Sequence, residues 1–375
     1  MNVRDPYNKK IMVVTRTIPH WRREVFQEIY NQFKSHGVDC LFVHDYKAMV
    51  IGNHKGSGIC KSINSKHCEI KTVALGKVEY LKRFRTVLNQ YKPSDIIIEA
   101  SPRFMQVYYL LLLKKFKHFK LWGWSSGYFK SESKCLNFLR KLIFRNFDGM
   151  FTYHSLATKK FERIGIKKII TVGNSPGEKR ILDEIGRVDP HNVKLVKLNY
   201  SDDEKKLIAI FVGKLTVSKK VDIILSVAEY FEDRINFLII GNGPEYNNLE
   251  KTSKAKHLSN VFFMGEIIEG VNVLFQASDV FVMPGTGGLA LIQALYNGLP
   301  IISSFADGIG FDAVKDGYNG FIMEDPNEEF FIEKLQWFVD NKAAIDEFSR
   351  RSLEISKYFS TEKVAERIVS TILEE

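Results

Sequence analysis

A glycine-rich turn in the last third of the chain has the composition of an anion-binding loop. The turn, Pro284–Gly288, follows the apolar run Val280–Met283 and precedes a short predicted helix, Leu289–Tyr296. Helix N-termini carry unpaired N–H groups, and Gly287 and Gly288 place no Cβ atom between this backbone and a ligand. The pattern predicts a phosphate cradle, although a tight turn that needs glycine only for its backbone angles has the same sequence.

A second turn carries cations at the end of an apolar strand. Lys206–Val212 is typical of a buried strand, and Lys214, Lys219 and Lys220 follow it before the next predicted helix. A cation at a helix start opposes the helix dipole by about 0.3–1 kcal/mol. This placement is favourable where the lysines pair with an anionic ligand, and exposed lysines are the alternative.

Basic residues also follow the first predicted strand, Lys10–Thr15. The loop Arg16–Arg23 leads from it into an amphipathic helix. Ligands of open α/β sheets bind beyond the carboxyl ends of strands. His20, Arg22 and Arg23 are therefore candidate binding residues, with ordinary exposed cations at a helix start as the alternative.

The order of apolar runs and turns predicts an α/β fold in two domains. Strand–helix–strand spacing recurs in both halves, which indicates parallel sheets, and 375 residues exceed one comfortable core. We expect a Rossmann-like domain at 1–173, a polar linker at 174–205, a second Rossmann-like domain at 206–355 and a C-terminal helix at 356–375 that packs back on the first domain.

Several other protein classes are disfavoured. The turn GNGPE lacks the glycine that a dinucleotide fingerprint would need at Tyr246, which disfavours a dehydrogenase. The four cysteines show no CxxC spacing, so neither a metal site nor a disulfide framework is expected. Because Met1–Lys10 is polar and the longest apolar run, Val107–Leu113, is short, we expect a soluble or peripheral protein.

The net charge of +10 is unevenly distributed. Residues 1–170 hold 32 Lys and Arg against 12 Asp and Glu, and the remainder holds 22 against 32. A nucleic acid, an anionic membrane surface or a pyrophosphate-bearing substrate would suit the first half, as would a solvated basic face. No nucleic-acid-binding motif accompanies the charge, so no nucleic acid is expected. The predicted helix Lys134–Phe147 is basic and amphipathic, as are both membrane-surface helices and core-facing helices with a basic outer face.

Several segments resemble, in order and spacing, the donor domain of family 4 retaining glycosyltransferases. They are VGKLTVSKKVDIIL, FLIIGNGPEYNNLE, VFFMGEI, ASDVFVMPGTGGLALIQALYNGLPII and FDAVKDGYNGFI. The resemblance is weaker in the first half, where IPHWRREVF, GWSSG and FDGMFTYH resemble the acceptor domain. It implies the GT-B fold, an α/β architecture of two Rossmann-like domains facing each other across a cleft.

The resemblance assigns roles to these turns. Lys214 and Lys219 would neutralise the donor diphosphate, and His20 and His154 are by position the substitutes for an expected active-site histidine. Further donor-binding candidates are Gly213, Gly241, Gly243, Pro244, Gly265, Glu266, Gly285, Thr286, Gly287, Gly288, Leu289 and Gln293. Acceptor-binding candidates are Arg22, Arg23, Trp124, Ser125 and Ser126, the last three standing where that histidine is expected.

Two positions depart from the family pattern. The family commonly carries two glutamates eight positions apart, and Gly285 and Gln293 stand at those positions. Gln293 keeps the capacity to hydrogen-bond a ribose hydroxyl, whereas Gly285 offers no side chain.

The resemblance implies a hexosyltransferase that uses a UDP- or GDP-linked sugar without a metal or other cofactor. Its acceptor would be a glycan, lipid-linked, in capsule, exopolysaccharide or lipopolysaccharide synthesis. The enzyme would be cytoplasmic, peripheral on the inner face of the plasma membrane. Because of the two departures, a degenerate GT-B protein that binds glycan or scaffolds a biosynthetic complex is the alternative.

Overall fold

The structure is a computed structural model. It describes residues 9–45, 66–76, 78–127, 134–166, 168–201, 206–305 and 308–375, apart from the side chains of His20, Leu139 and residues 134–137. The chain divides into two compact units. The first comprises Met1–Gly177 with Ser360–Glu375, and the second comprises Glu178–Phe359.

The first unit is built on a parallel sheet. Its strands are β1 (Lys10–Val14), β2 (Asp39–His44), β3 (His67–Glu69), β4 (Thr72–Leu75), β5 (Val78–Leu81), β6 (Asp95–Glu99), β7 (Lys120–Ser125), β8 (Gly149–Thr152) and β9 (Ile169–Thr171). Seven strands pair in the order β3-β2-β1-β6-β7-β8-β9, and β4 pairs antiparallel with β5. Central strands such as β1 and β6 are almost fully buried, as expected for a sheet with helices on both faces.

Helices cover both faces of this sheet. They are α1 (Arg23–Ser35), α2 (Phe84–Tyr91), α3 (Met105–Leu113), α4 (Lys134–Phe144) and α5 (Ser155–Arg163). Phe26 and Phe33 of α1 share a core with Ile11 and Val13 of β1. The alternate residues of that strand, Met12 and Val14, face a second core that includes apolar residues of α3 and α4. The two faces follow from the period-two alternation of strand side chains.

The second unit is a doubly wound parallel sheet. Its strands are β10 (Leu207–Val212), β11 (Ile235–Ile240), β12 (Val261–Gly265), β13 (Val280–Met283), β14 (Ile301–Ser304) and β15 (Gly320–Met323), in the order β12-β11-β10-β13-β14-β15. Its helices are α6 (Glu178–Gly186), α7 (Pro190–Tyr200), α8 (Val221–Tyr230), α9 (Tyr246–Ala255), α10 (Val271–Ala277), α11 (Leu289–Tyr296), α12 (Ile309–Ala313), α13 (Glu328–Asp340) and α14 (Ile345–Ser356). Both units therefore have the Rossmann-like α/β architecture that the sequence predicts.

The segment expected to be a polar linker, 174–205, contains α6 and α7, and both belong to the second unit. Ile181 of α6 is fully buried in the core of that unit. The α7 helix begins at Pro190. Asp189 is its N-cap and accepts a hydrogen bond from His191 N at 2.8 Å. Proline at the first helical position and aspartate as N-cap are strong start signals that outweigh the polar composition.

The C-terminal helix, α15 (Thr361–Leu373), belongs to the first unit. Ser360 caps it by accepting a hydrogen bond from Lys363 N at 3.2 Å. Val364, Ile368 and Ile372 recur every four residues and are buried in the core that contains α1. Each such side chain contributes about 1.5–3 kcal/mol of stabilisation on full burial, so the end of the chain completes the core formed by its beginning.

Candidate functional site

The candidate site lies where the strand order of the second unit reverses. The chain runs outward from β10 through β11 to β12 and then returns to β13 on the other side of β10. The loops that follow β10 and β13 therefore diverge from neighbouring strand ends. Such a switch point is where open α/β sheets bind ligands.

The ammonium group of Lys219 joins these two loops. It donates a hydrogen bond to the carbonyl oxygen of Gly287 at 3.0 Å and another to that of Thr286. The backbone N–H of Thr286 in turn donates to the carbonyl oxygen of Ser218 at 3.0 Å. Two turns that the sequence singles out separately thus form one structure.

The same turn ends at the N-terminus of α11. Gly288 precedes this helix with φ of +73° and ψ of −158°, a conformation that is nearly restricted to glycine. A Cβ atom there would have the Lys219 ammonium nitrogen, at 4.0 Å, as its nearest neighbour. The position is therefore open, and the first four N–H groups of a helix have no partner inside the helix.

The electrostatics of this corner favour an anion. Residues 289–292 of α11 are all apolar, so the first turn of this helix contributes no acidic side chain to offset its positive end. The Lys219 ammonium adds a second positive charge beside it. Backbone N–H groups and a cation together match the chemistry of a phosphate group.

The other glycines in these turns let backbone pack on backbone. A Cβ atom at Gly241 would overlap the carbonyl oxygen of Gly213, and one at Gly243 would overlap that of Leu215. The N–H of Gly241 also donates to the carbonyl oxygen of Gly265 at 2.7 Å. These predicted donor-site glycines therefore hold the strand-end loops together.

Gly285 has no room for a side chain. A Cβ atom there would overlap the carbonyl oxygen of Ser218 and would lie 2.6 Å from the carbonyl carbon of Lys219. The carbonyl oxygen of Gly285 accepts a hydrogen bond from Ser304 Oγ at 2.8 Å, which fixes the turn from the other side. The turn that carries Lys219 thus packs against the backbone at the position where the family commonly has a glutamate.

Gln293 lies one turn into α11 and is held by α10. Its Nε2 donates to Asn272 Oδ1 at 3.1 Å, and Asn297 Nδ2 donates to the same oxygen at 3.0 Å. The side-chain amide of Asn272 donates to Glu184 Oε2 at 2.8 Å. Because Gln293 uses its NH₂ group on Asn272, its Oε1 is the atom with which it would accept a bond from a ligand hydroxyl.

The remaining donor-site candidates surround these turns. Lys214 is exposed in the loop after β10, beside Gly213. Pro244 lies in the loop after β11, where Glu245 N donates to the carbonyl oxygen of Leu215 at 3.2 Å. Glu266 is exposed just after β12.

In the first unit, Arg22 lies over two aromatic rings. Its guanidinium carbon is 4.6 Å from the centre of the Tyr153 ring and 5.6 Å from that of Trp124. Trp124 is buried and packs on Phe26, with ring centres 5.7 Å apart. The buried indole of Trp124 therefore forms part of the surface on which Arg22 packs. Arg23, the next residue, is the first of α1.

The two serines after Trp124 take part in a local hydrogen-bonded turn. Ser125 Oγ accepts a bond from Gly127 N at 3.2 Å, and the carbonyl oxygen of Ser126 lies 3.1 Å from His154 Nε2. The other ring nitrogen of His154 accepts from Ala157 N at 3.1 Å, so this histidine caps α5 and donates to Ser126. The side chain of His20 lies outside the described part of the structure.

An ionic cluster that the sequence analysis did not single out lies at the same sheet edge. Arg16 Nε donates to Glu99 Oε1 at 3.1 Å, and Arg16 Nη1 lies 3.2 Å from Glu79 Oε2. Burial opposes ionisation of Glu99, but Arg16 outweighs it and lowers the pKa of the carboxyl below its ordinary value of 4.5. Glu99 is the last residue of the apolar strand β6. A carboxylate at the carboxyl end of a strand is the sequence signal that could have identified it as a candidate binding residue.

Two further properties concern the described residues as a whole. Among them, no group of three or more His, Cys, Asp or Glu side chains is arranged to hold a metal ion. None of the helices described has the length and apolar character needed to cross a bilayer.

The fold is that of the GT-B glycosyltransferases. The structure of Alr3699/HepE from Anabaena, solved in complex with UDP, superposes with a TM-score of 0.72 over 98% of this chain and 100% of that chain, at 12% sequence identity. A likeness at this identity concerns the fold alone, and it confirms the fold class that the sequence predicts.

Residues 197–354 match the family model for glycosyl transferases group 1. The uncharacterized glycosyltransferase MJ1178 of Methanocaldococcus jannaschii is 25% identical over 308 residues, which are 79% of this chain and 83% of that relative. Poly(ribitol-phosphate) alpha-N-acetylglucosaminyltransferase of Staphylococcus aureus is 23% identical over 207 residues, which are 51% of this chain and 41% of that relative. The predicted resemblance to glycosyltransferases is confirmed.

Proposed function

We propose that the protein transfers a hexose from a nucleotide sugar to a glycan acceptor with retention of anomeric configuration. The observation that carries the proposal is the contact of Lys219 with Thr286 and Gly287 at the N-terminus of α11. This corner offers backbone N–H groups and a cation to one anionic ligand. A nucleoside diphosphate is the anion that a glycosyltransferase must hold and release.

The charge on the leaving diphosphate grows as the bond to the sugar breaks. Donors that are already in place stabilise such charge without reorganisation. Lys219 would neutralise the phosphates together with Lys214, and the N–H groups of Gly288 and Leu289 would bind them. We propose that these groups replace a divalent cation, so that transfer continues in the presence of EDTA.

The donor would be a UDP- or GDP-linked hexose. The UDP in the Anabaena structure supports a nucleotide of this kind. Gln293 would accept a hydrogen bond from a ribose hydroxyl through Oε1, and Gly265 and Glu266 would lie near the base. In a retaining transfer the acceptor hydroxyl attacks on the face from which the diphosphate leaves.

The acceptor would be a lipid-linked surface glycan, as in capsule, exopolysaccharide or lipopolysaccharide synthesis. The Staphylococcus aureus relative, which acts on poly(ribitol-phosphate), supports a polymeric surface acceptor. Arg22 and Arg23 would donate hydrogen bonds to its hydroxyl or phosphate groups, and the ionised Glu99 would accept a hydrogen bond from a hydroxyl. The enzyme would work in the cytoplasm, on the inner face of the plasma membrane.

A transfer assay tests this proposal. Purified protein is incubated with a panel of UDP- and GDP-linked hexoses and a lipid-linked glycan fraction, and the anomeric configuration of the product is read by NMR. We expect a product with retained configuration, and Lys219→Ala should lower kcat/KM by about 10²–10³-fold, the usual effect of removing one preorganised donor. Lys254→Ala, on the exposed side of α9, should leave the rate unchanged. An inverted product would refute the retaining mechanism.

A catalytically degenerate protein that binds glycan or scaffolds a complex is the second candidate, motivated by the closed space at Gly285. It would bind nucleoside diphosphate or glycan without turnover of any donor in the panel. Product formation by the wild-type chain, lost in Lys219→Ala, would eliminate it.

A further inference from the structure

We propose that one helical face of the first unit docks on an anionic lipid bilayer. The face, called the α3–α4 face below, carries six exposed large apolar side chains: Met105, Tyr108, Leu112, Phe116, Phe138 and Leu142. The proposal rests on the proposed function in one respect: docking would give the enzyme access to a lipid-linked acceptor.

The α3 helix is apolar on its outward side as well as on its inward side, unlike an ordinary surface helix. Gln106 is the only side-chain amide in its sequence, and it is buried, with Nε2 donating to the carbonyl oxygen of Leu81 at 3.1 Å. The outward positions carry Met105, Tyr108 and Leu112, the last 58% exposed, and Phe116 just beyond the helix is 77% exposed. A surface helix normally turns charged and polar residues toward water.

The α4 helix extends the same surface. The chain passes from β6 through α3 to β7 and through α4 to β8, so two crossovers of one hand place both helices side by side on one face of the sheet. Lys114, after α3, forms an ion pair with Asp148, after α4, at 2.7 Å. Phe138, 61% exposed, and Leu142 lie one turn apart on the outer side of α4. The two apolar stripes are therefore neighbours.

Positive charge predominates around this surface, where Asp148 pairs with Lys114. Residues 103–147 contain ten Lys and Arg, and their one acidic residue, Glu132, lies outside the described part of the structure. Among the cations whose side chains the structure describes, five are exposed: Arg103, Lys115, Lys117, Lys141 and Arg145. Apolar side chains ringed by Lys and Arg are the composition of surfaces that insert shallowly between anionic headgroups.

The same charge argues against a second copy of this chain as the occupant. A two-fold interface brings each surface patch against itself. The α3–α4 face would then place its cations opposite the identical cations of the other copy, and such like-charge contacts oppose association. An anionic bilayer satisfies both the apolar residues and the charge.

Vesicle co-sedimentation of the full chain tests the proposal. The vesicles contain phosphatidylcholine alone or phosphatidylcholine with phosphatidylglycerol. We expect binding to the anionic vesicles that falls as salt is raised. The double variant Leu112→Ser/Phe116→Ser should reduce the partition coefficient by about tenfold or more, because two apolar side chains no longer enter the bilayer.

The matched control is Leu195→Ser/Leu198→Ser, which removes two similarly exposed leucines from α7 of the second unit. This control should bind vesicles as the wild type does. Wild-type binding that is no stronger on anionic than on neutral vesicles would overturn the proposal. So would a dimer, seen by size-exclusion chromatography, that Leu112→Ser/Phe116→Ser dissociates. Binding of UDP or GDP by Leu112→Ser/Phe116→Ser should equal that of the wild type, so a failure of the donor site is recognised separately.

Discussion

The ammonium nitrogen of Lys219 lies 3.0 Å from the carbonyl oxygen of Gly287, across two loops that follow neighbouring strands. This contact places a cation at the positive end of α11, and an anionic ligand would be stabilised by both. In the proposed diphosphate site, the cation and the helix end would act on the same ligand.

Gly285→Ala should destabilise the second unit and disturb the loop that carries Lys219. The new Cβ atom would overlap the carbonyl oxygen of Ser218, and overpacking of this kind costs about 1–3 kcal/mol. Thermal unfolding should show a lower Tm, together with weaker nucleotide binding. Gly186→Ala is the control, because a Cβ atom at the end of α6 meets nothing within 4 Å. Equal Tm values for the two variants would contradict the prediction, because the loop would then accommodate the new Cβ atom without loss of stability.

Gln293→Glu should not restore a better site, although it restores the residue common in the family. The carboxylate of the variant has no N–H to donate to Asn272 Oδ1, so two acceptor oxygens would face each other. We expect this to lower the free energy of unfolding by about 1–3 kcal/mol. Denaturant unfolding measures this cost directly. In a double-mutant cycle, the cost should shrink in an Asn272→Ala background. A full cost in that background would mean that Asn272 is not its source.

Glu99→Gln should change the acid sensitivity of the protein. Arg16 holds the folded-state pKa of Glu99 below 4.5, so its ionisation stabilises the fold at pH values above about 4.5 and that contribution is lost as the pH falls through the lower folded-state pKa. The wild type should therefore lose Tm more steeply than Glu99→Gln on acidification from about pH 6 to pH 3, while the variant is less stable at neutral pH. Glu333→Gln, an exposed change on α13, is the control. Parallel pH profiles of wild type and Glu99→Gln would contradict the role assigned to the ion pair.

Local patterns in the sequence predicted much of the second unit. The strands β10 and β13 are uninterrupted apolar runs, and the glycines and lysines after them mark the turns. Each of these signals depends only on residues that are close together in the chain, so a single sequence is enough to detect it. The polar composition of 174–205 favours a linker over α6 and α7, although Asp189 and Pro190 are helix-start signals for α7.

Contacts between distant residues could not be predicted from one sequence. Arg16 and Glu99 are 83 positions apart and meet only because β1 and β6 are adjacent. The reason for glycine at 285 is likewise the carbonyl of Ser218, which the strand order brings to it. The exposed apolar stripe on α3 likewise depends on the contact with Leu81, 25 positions away, that holds Gln106 on the inner side.

Calorimetric titration with UDP and GDP tests the donor site most directly. We expect at least one of the two to bind the wild type, and Lys219→Ala to weaken its binding by about tenfold to a hundredfold, because a hydrogen bond to a charged group contributes about 1.5–3 kcal/mol. Lys254→Ala should bind as the wild type does. If neither nucleotide binds, or if Lys219→Ala binds with unchanged affinity, the diphosphate site at the N-terminus of α11 is wrong.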